Sequence, residues 1–333
     1  MALDDTQVYL PELWASHARF RAKKTALVCG ADRLSWGELN RRCNQVANAL
    51  LAAGAGKPAK VAVLMSNSVH TAVVMLGIVK AGACMVPIST MLTRAQVATM
   101  LADSGASVLF ANDATRALAE EALDQLADDP DDKLNDNLVD KGERLLVCAG
   151  EAGSRWQSLV DWMQGADDGE PPVRYDLGDD FNIIYSSGTT GTPKGIVQTH
   201  RARQHWSYSN ALELRMDHET VALTTTSLYS NGTWFMLLPP LFVGGTVVIM
   251  EGFSPEVFLE LVAREGVTHT FMVPTQYIGV LESPELKRAD LSTLRYLLSA
   301  GSPLRQDTKE AILERLGPGL FELYGFTEGF ATI

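Results

Sequence analysis

The chain has 333 residues, 46% of them hydrophobic and 20% charged, with 27 Gly, 14 Pro and a formal net charge of −12. Those proportions exclude a disordered chain, a collagen-like repeat and a small disulfide-stapled module, and at roughly 150 residues per domain the length accommodates two cores. The acidity is local: residues 111–180 hold 19 of the 40 acidic and 6 of the 28 basic side chains, leaving 21 against 22 elsewhere. This span, running through "LADDPDDKLNDNLVD", reads as a solvated connector. No basic stripe suits a nucleic acid as partner.

The Met-Ala-Leu-Asp-Asp start is acidic where a secretory leader would be basic. The most apolar window, Thr233–Met250, is cut by Pro239-Pro240 and Gly244-Gly245, so no transmembrane segment is expected. Cys29, Cys43, Cys84 and Cys148 stand apart in apolar runs, as buried free thiols would. A cytoplasmic protein is expected.

Along the chain, Ser35-Trp36-Gly37-Glu38 has the spacing of a capping box. It opens a helix with Leu39, Cys43, Val46, Ala47 and Leu50 on one face, ended by Gly54. Lys60–Met65 then reads as a strand. Ser68 caps a helix burying Val69, Val73, Leu76 and Val79, closed by Gly82. Cys84–Ile88 reads as a strand, Thr93–Ala102 as a helix and Ser107–Ala111 as a strand. After the acidic span come strands at Phe181–Tyr185, Val221–Thr225, Thr246–Met250, Thr268–Val273, Arg295–Ser299 and Leu320–Tyr324. Helices at Pro255–Glu265 and Arg305–Leu316 lie between them. Short apolar strands alternating with helices of 10–15 residues predict an α/β fold of mostly parallel sheets covered by helices. Two subdomains are expected, 1–170 and 171–333, joined where "GADDGEPP" breaks both patterns.

The strand Phe181-Asn182-Ile183-Ile184-Tyr185 feeds Ser186-Ser187-Gly188-Thr189-Thr190-Gly191-Thr192-Pro193-Lys194-Gly195. All ten residues of that loop are Ser, Thr, Gly, Pro or Lys. Glycines allow several N–H groups to converge on one anion, hydroxyls add donors, and Lys194 adds charge. Such a loop after a parallel strand suits phosphate. It differs from the P-loop of common nucleotide triphosphatases, because Pro193 precedes the lysine and Gly195 follows it.

The run "YSSGTTGTPKG" resembles the signature of the adenylate-forming enzymes, which include acyl-CoA synthetases, luciferases and peptide-synthetase adenylation domains. "LSWGEL" at 34–39, "KAGACMVPI" at 80–88, "MVPT" at 272–275, "SAGSPL" at 299–304 and "LYGFTEG" at 323–329 are similar to further motifs of that family, in order. The resemblance implies an N-terminal domain of two stacked sheets flanked by helices. It implies activation of a carboxylic acid by ATP with Mg²⁺, followed by transfer to the thiol of CoA. By the same resemblance Ser186, Ser187, Gly188, Thr189, Thr190, Gly191, Thr192 and Lys194 grip the phosphates. Ala300, Gly301 and Ser302 lie along the adenine, Tyr324 stacks on it, and Gly325 belongs to the same ATP site. Thr327 contacts the α-phosphate and Glu328 holds the metal, so Lys194, Thr327 and Glu328 are the expected catalytic residues. His200 either orients the loop or packs in a helix start.

The segment "SLYSNGTWF" at 227–235 stands where many acyl- and aryl-CoA synthetases carry a His and peptide-synthetase domains an Asp; here the residue is Ser230. An amino-acid substrate is therefore disfavoured, and a fatty or aryl acid is expected. Tyr229, Ser230, Trp234, Met272 and Gly301 are the expected pocket lining. The resemblance also implies that a ribose-binding aspartate, a hinge and a lysine-bearing small domain would follow Ile333. The chain thus reads as an N-terminal portion, impaired or inactive as an enzyme by itself. A non-catalytic nucleotide- or acyl-binding module and a ligase that passes the acyl group to a carrier-protein thiol remain alternatives, and a homodimer is left open.

Overall fold

The structure is a computed structural model in which residues 8–127, 144–151, 153–186 and 193–332 are described. The chain opens with α1 (Leu10–Phe20), whose first turn holds Pro11, where a missing N–H costs no helical bond. The hairpin β1 (Thr25–Cys29) and β2 (Asp32–Ser35) follows, then α2 (Trp36–Ala52), which buries Leu39, Cys43, Val46, Ala47 and Leu50 as their spacing predicts. Next come β3 (Lys60–Leu64), α3 (Val69–Lys80), β4 (Cys84–Pro87) and α4 (Arg94–Ser104). Thr93 caps α4, and Gly105 ends it in the left-handed conformation. β5 (Val108–Asn112), α5 (Asp113–Leu126), β6 (Leu145–Ala149), β7 (Gln157–Ser158), α6 (Leu159–Gln164), β8 (Asp180–Ser186) and β9 (Lys194–Thr199) lead to α7 (His200–Glu213). The rest is β10 (Val221–Thr224), α8 (Leu238–Val243), β11 (Thr246–Ile249), α9 (Pro255–Glu265), β12 (His269–Met272), α10 (Pro274–Glu282), β13 (Tyr296–Ser299), α11 (Gln306–Arg315), β14 (Leu320–Glu322), β15 (Tyr324–Phe326) and β16 (Gly329–Thr332).

Two mixed, mostly parallel sheets flanked by helices result. The first has the order β7-β6-β5-β3-β4-β8-β9, parallel except for the antiparallel edge strand β9. The second runs β14-β13-β12-β10-β11-β1-β2, parallel except for β2. The fully buried strands are mostly apolar, as Cys84–Pro87 of β4 and Val247–Ile249 of β11 are, as expected of strands covered on both faces. The first core gathers Ala62, Leu64, Val86, Val97, Leu109 and Ala119; the second gathers Val248, Phe258, Val262, Met272, Tyr277 and Leu297.

The division of the chain differs from a boundary at residue 170. The first unit comprises the described parts of Met1–Ala22, Trp36–Ser66 and His70–His205; the second comprises Lys23–Ser35, Asn67–Val69 and Trp206–Ile333. Both strands flanking the expected phosphate loop, β8 and β9, therefore belong to the first sheet. The early hairpin β1–β2 joins the second, with Leu27 in parallel register with Val247. Parallel pairing is chosen by sheet neighbours rather than by position along the chain, so a cut at the composition break misassigns both pieces.

Part of the acidic span is strapped down. Asn40, Asn44 and Asn48 recur at helical spacing on α2 and donate to Glu170 Oε1 (2.7 Å), the Asp168 carbonyl (2.8 Å) and the Asp167 carbonyl (2.7 Å). Lys80, 1% exposed, donates to Asn40 Oδ1 at 2.7 Å and Glu170 Oε2 at 2.8 Å. Burial opposes ionisation of Glu170, but its hydrogen bonds from Asn40 and Lys80 outweigh that and hold its carboxyl below the usual range. Its contribution is thus present above the unfolded carboxylate value and is lost as pH falls through the folded one. Glu170→Ala is expected to cost about 1–2 kcal/mol in urea denaturation at neutral pH, because the buried ammonium loses its counter-charge while Glu170 itself is half-exposed. The deficit should shrink in acid, where the parent carboxyl is also protonated.

All four cysteines are free and buried, and burial pushes the Cys43 and Cys84 thiols up to about 12. Among the described residues no helix is long and apolar enough to cross a membrane.

Candidate functional site

The second sheet collects most of the singled-out segments at one edge. β10, β12, β13 and β14 are parallel and contiguous in the order β14-β13-β12-β10, so their carboxyl ends face the same way. The chain leaves those four ends as residues 225–235, 273–275, 300–304 and 323–328. Each is one of the segments marked in the sequence. The carboxyl edge of a parallel sheet is where α/β proteins bind ligands, since loops there are free to vary over a rigid support.

After β14 the chain does not continue as one strand to Tyr324. It breaks at Leu323, whose N–H donates to the Ser299 carbonyl at 2.7 Å, and turns into the two-stranded hairpin β15–β16. Phe326 pairs with Gly329, which puts Thr327 and Glu328 at the turn. Tyr324 is 74% exposed, its ring centroid 6.2 Å from that of Phe326 and nearly perpendicular to it. An exposed aromatic ring of this kind is suited to stacking.

The loop Ala300–Leu304 starts with Ala300 half-buried and Gly301 and Ser302 exposed. Gly301 has φ +94°, a conformation that a side chain would strain. Glu322 braces the far end of this loop: its Oε1 accepts from the Leu304 N–H at 2.7 Å and its Oε2 from Lys309 at 2.6 Å. The Lys309 hydrogen bond, with that of Leu304, holds the Glu322 carboxyl below the usual range. No sequence motif marks Glu322; the only local signal is an acidic residue in an otherwise apolar strand.

The expected acid pocket divides in two. Tyr229 and Ser230 are half-buried, in the turn before the 3₁₀ segment Asn231–Met236. Trp234 and Met272 are 0% exposed. Met272 packs in the core with Phe258 and Tyr277, and Trp234 Nε1 donates to the Leu228 carbonyl at 2.8 Å. These two side chains support the segment from inside instead of facing solvent. Phe271 lies beneath the turn, where a Cβ on Gly232 would come within 2.8 Å of its ring, so glycine lets the turn sit on the aromatic.

In the first unit, β8 and β9 form a hairpin in which Ser186 pairs with Lys194. Lys194 is exposed. The segment between them holds Ser187, Gly188, Thr189, Thr190, Gly191 and Thr192, which lie outside the described residues. The chain thus enters the loop from a strand parallel to β4 and leaves it along an antiparallel edge strand. Tyr185, the residue before it, donates to Asp103 Oδ2 at 2.8 Å. Burial, then Asp103, pushes the Tyr185 phenol up, so it stays protonated. His200, first residue of α7, is buried against Tyr175 and Phe181 at 5.5 and 5.1 Å, so it packs in the helix start.

Among the described residues no group of three or more His, Cys, Asp or Glu could hold a metal by itself. Magnesium seldom needs such a cage; it takes one or two carboxylates together with phosphate oxygens and water. An exposed single carboxylate at a hairpin turn, Glu328, fits that pattern.

A family model described as AMP-binding enzyme matches residues 14–333. A feruloyl-CoA synthase of Amycolatopsis sp is 33% identical over 317 residues, covering 93% of this chain and 58% of that protein. The fatty acid–[acyl-carrier-protein] ligase ScoC of Streptomyces coeruleorubidus is 27% identical over 323 residues, covering 94% and 57%. The chain therefore spans somewhat more than half the length of these relatives. The crystal structure of the anthranilate CoA ligase AuaEII in complex with anthranoyl-AMP superposes with a TM-score of 0.83 at 25% identity, covering 98% of this chain and 61% of that one.

Proposed function

The chain belongs to the AMP-binding enzyme family, and from that premise we propose that its protein activates a fatty or aryl carboxylic acid with ATP and passes the acyl group to the thiol of CoA. The observation that carries this reading is the convergence of residues 225–235, 300–304 and 323–328 at one carboxyl edge of the second sheet. A carboxylate oxygen of the acid attacks the α-phosphorus; the bond from that phosphorus to the pyrophosphate oxygen breaks, and pyrophosphate leaves with the electron pair. The CoA thiol then attacks the acyl carbon, its proton is lost to solvent, and AMP departs. Charge that builds on the leaving pyrophosphate is met by Lys194, Ser186 and the loop that joins them. Tyr324 stacks on the adenine beside Ala300, Gly301, Ser302 and Gly325, while Thr327 donates to the α-phosphate. Glu328 would hold magnesium, which supplies further charge neutralisation when bound.

The identity to a feruloyl-CoA synthase, 33% against 27% for the fatty-acid ligase, supports the aryl arm of the acid class. Ser230 has no charge to pair with an α-amino group, which supports an acid with a neutral tail. The kinship with ScoC favours one second reading, in which a carrier-protein thiol replaces CoA.

Acid-dependent pyrophosphate release by the full-length protein, across a panel of aryl, fatty and amino acids, tests the reading. A preference for free α-amino acids would overturn it. In the same system Lys194→Ala is expected to weaken ATP binding by about 1–3 kcal/mol, the range for a lost charge-assisted hydrogen bond. Equal ATP affinity in variant and parent would remove Lys194 from the phosphate site.

A further inference from the structure

Residues Thr225–Leu228 run beyond the end of β10, where strand pairing no longer satisfies the backbone, yet four consecutive carbonyls are each taken by a side chain. The Thr225 carbonyl accepts from Gln276 Nε2 at 2.9 Å and the Thr226 carbonyl from Asn67 Nδ2 at 3.1 Å. The Ser227 carbonyl accepts from Thr233 Oγ1 at 2.7 Å and the Leu228 carbonyl from Trp234 Nε1 at 2.8 Å. Gln276, Thr233 and Trp234 come from nearby elements of the same sheet edge. Asn67 comes from a remote part of the sequence and does more than the others. Its Nδ2 also donates to the Met250 carbonyl at 2.7 Å, and its Oδ1 accepts the Leu228 N–H at 2.8 Å.

One amide therefore ties the ends of β10 and β11 together and grips the segment at two points. Two carbonyl acceptors on one side and an N–H on the other also determine which way the amide points. Only a side chain that both donates and accepts can satisfy this arrangement, so aspartate, although isosteric, would set a carboxylate against two carbonyl oxygens. Tyr229 and Ser230 follow Leu228 directly, and their positions depend on where Leu228 is held.

We propose that Asn67 is a positioning residue that fixes Leu228, and through it Tyr229 and Ser230, and so determines which acids the protein accepts. The proposal rests on the acid-activating function given above. It places a specificity determinant outside the acid segment, about 160 residues earlier in the chain, where no pocket-lining residue was expected.

The test uses full-length protein carrying Asn67→Asp, with Asn67→Ala and Thr233→Val as variants that remove bonds without adding charge should the first fail to fold. Hydrogen exchange needs no substrate: the Leu228 amide should exchange at least about tenfold faster in Asn67→Ala, which removes the oxygen that accepts it, with β3 and β5 unchanged. Exchange at the parental rate would overturn the proposal. Kinetics read the specificity: KM for the acid should rise about tenfold, the scale of one lost buried hydrogen bond, with KM for ATP within about twofold. The preference between an aryl and a fatty acid should shift as well. Equal rises in both KM values, or no rise in either, would show a merely structural residue. A parent protein that releases no pyrophosphate with any acid would defeat the proposed function instead, and the exchange result would still decide whether Asn67 holds the segment.

Discussion

Glu328→Gln is expected to lower acid-dependent pyrophosphate release about 10²–10³-fold, the scale for removing one preorganised group that meets developing charge. The substitution keeps the shape and removes only the charge. Because Glu328 is exposed at the turn between β15 and β16, the fold has little reason to respond, and the melting temperature should stay at the parental value. The loss should appear in kcat more than in KM for ATP, since the carboxylate matters most when charge shifts toward the leaving pyrophosphate. A magnesium titration supplies the second reading: the concentration for half-maximal rate should rise in the variant, because a neutral amide is a poorer ligand for a hard cation. An unchanged rate at limiting magnesium would remove Glu328 from the metal site and leave it as a surface residue.

The second large effect is on stability. Burial lowers the His200 pKa to about 4 from the ordinary 6.5, with Asp179 opposing and Lys57 reinforcing the shift. His200 is 2% exposed, and its Nε2 has no hydrogen-bond partner among the described residues, so a second proton there would be poorly solvated. A base whose folded pKa lies below its unfolded value binds its proton more readily when unfolded. Stability is therefore complete above the unfolded value near 6.5 and declines as pH falls toward 4. About 3 kcal/mol should be lost across that window, the free-energy equivalent of the shift. His200→Phe, which can pack against Tyr175 and Phe181, should flatten the slope between pH 6.5 and 4 in urea denaturation. The same slope in the variant would place the acid lability in other groups. Glu170 contributes at lower pH, so the two effects separate along the pH axis.

The helices and strands from Lys60 to Asn112 are legible in the sequence almost residue by residue. Capping and periodicity act within a turn or two: Thr93 caps α4 through its own neighbour Gln96, and Ser254 caps α9 ahead of Pro255. The motif segments are legible for a similar reason, because glycines and hydroxyls in a short run restrict the local backbone and the ligands it suits. β1, β2 and β9 are harder to see. β2 and β9 are short, partly polar edge strands, β9 with no fully buried residue to give it a period, and β1 is a five-residue apolar run too short to show one.

Tertiary structure alone decided which sheet each piece joins, and the composition break near residue 170 carries no information on that. Sheet order depends on which apolar faces can be covered together, a condition spread over residues far apart in the chain, such as Leu27 and Val247. The same holds for the acid segment. Its sequence identifies Tyr229, Ser230 and Trp234 as a group, but only the packed structure separates an accessible turn from a tryptophan sealed beneath it. Asn67 could not be singled out at all, because an asparagine before a helix is an ordinary turn residue until three backbone groups from two strand ends converge on its amide. Local rules set by a few neighbouring residues can be read along one dimension; satisfaction of buried polar groups is a three-dimensional condition and appears only when the chain has folded.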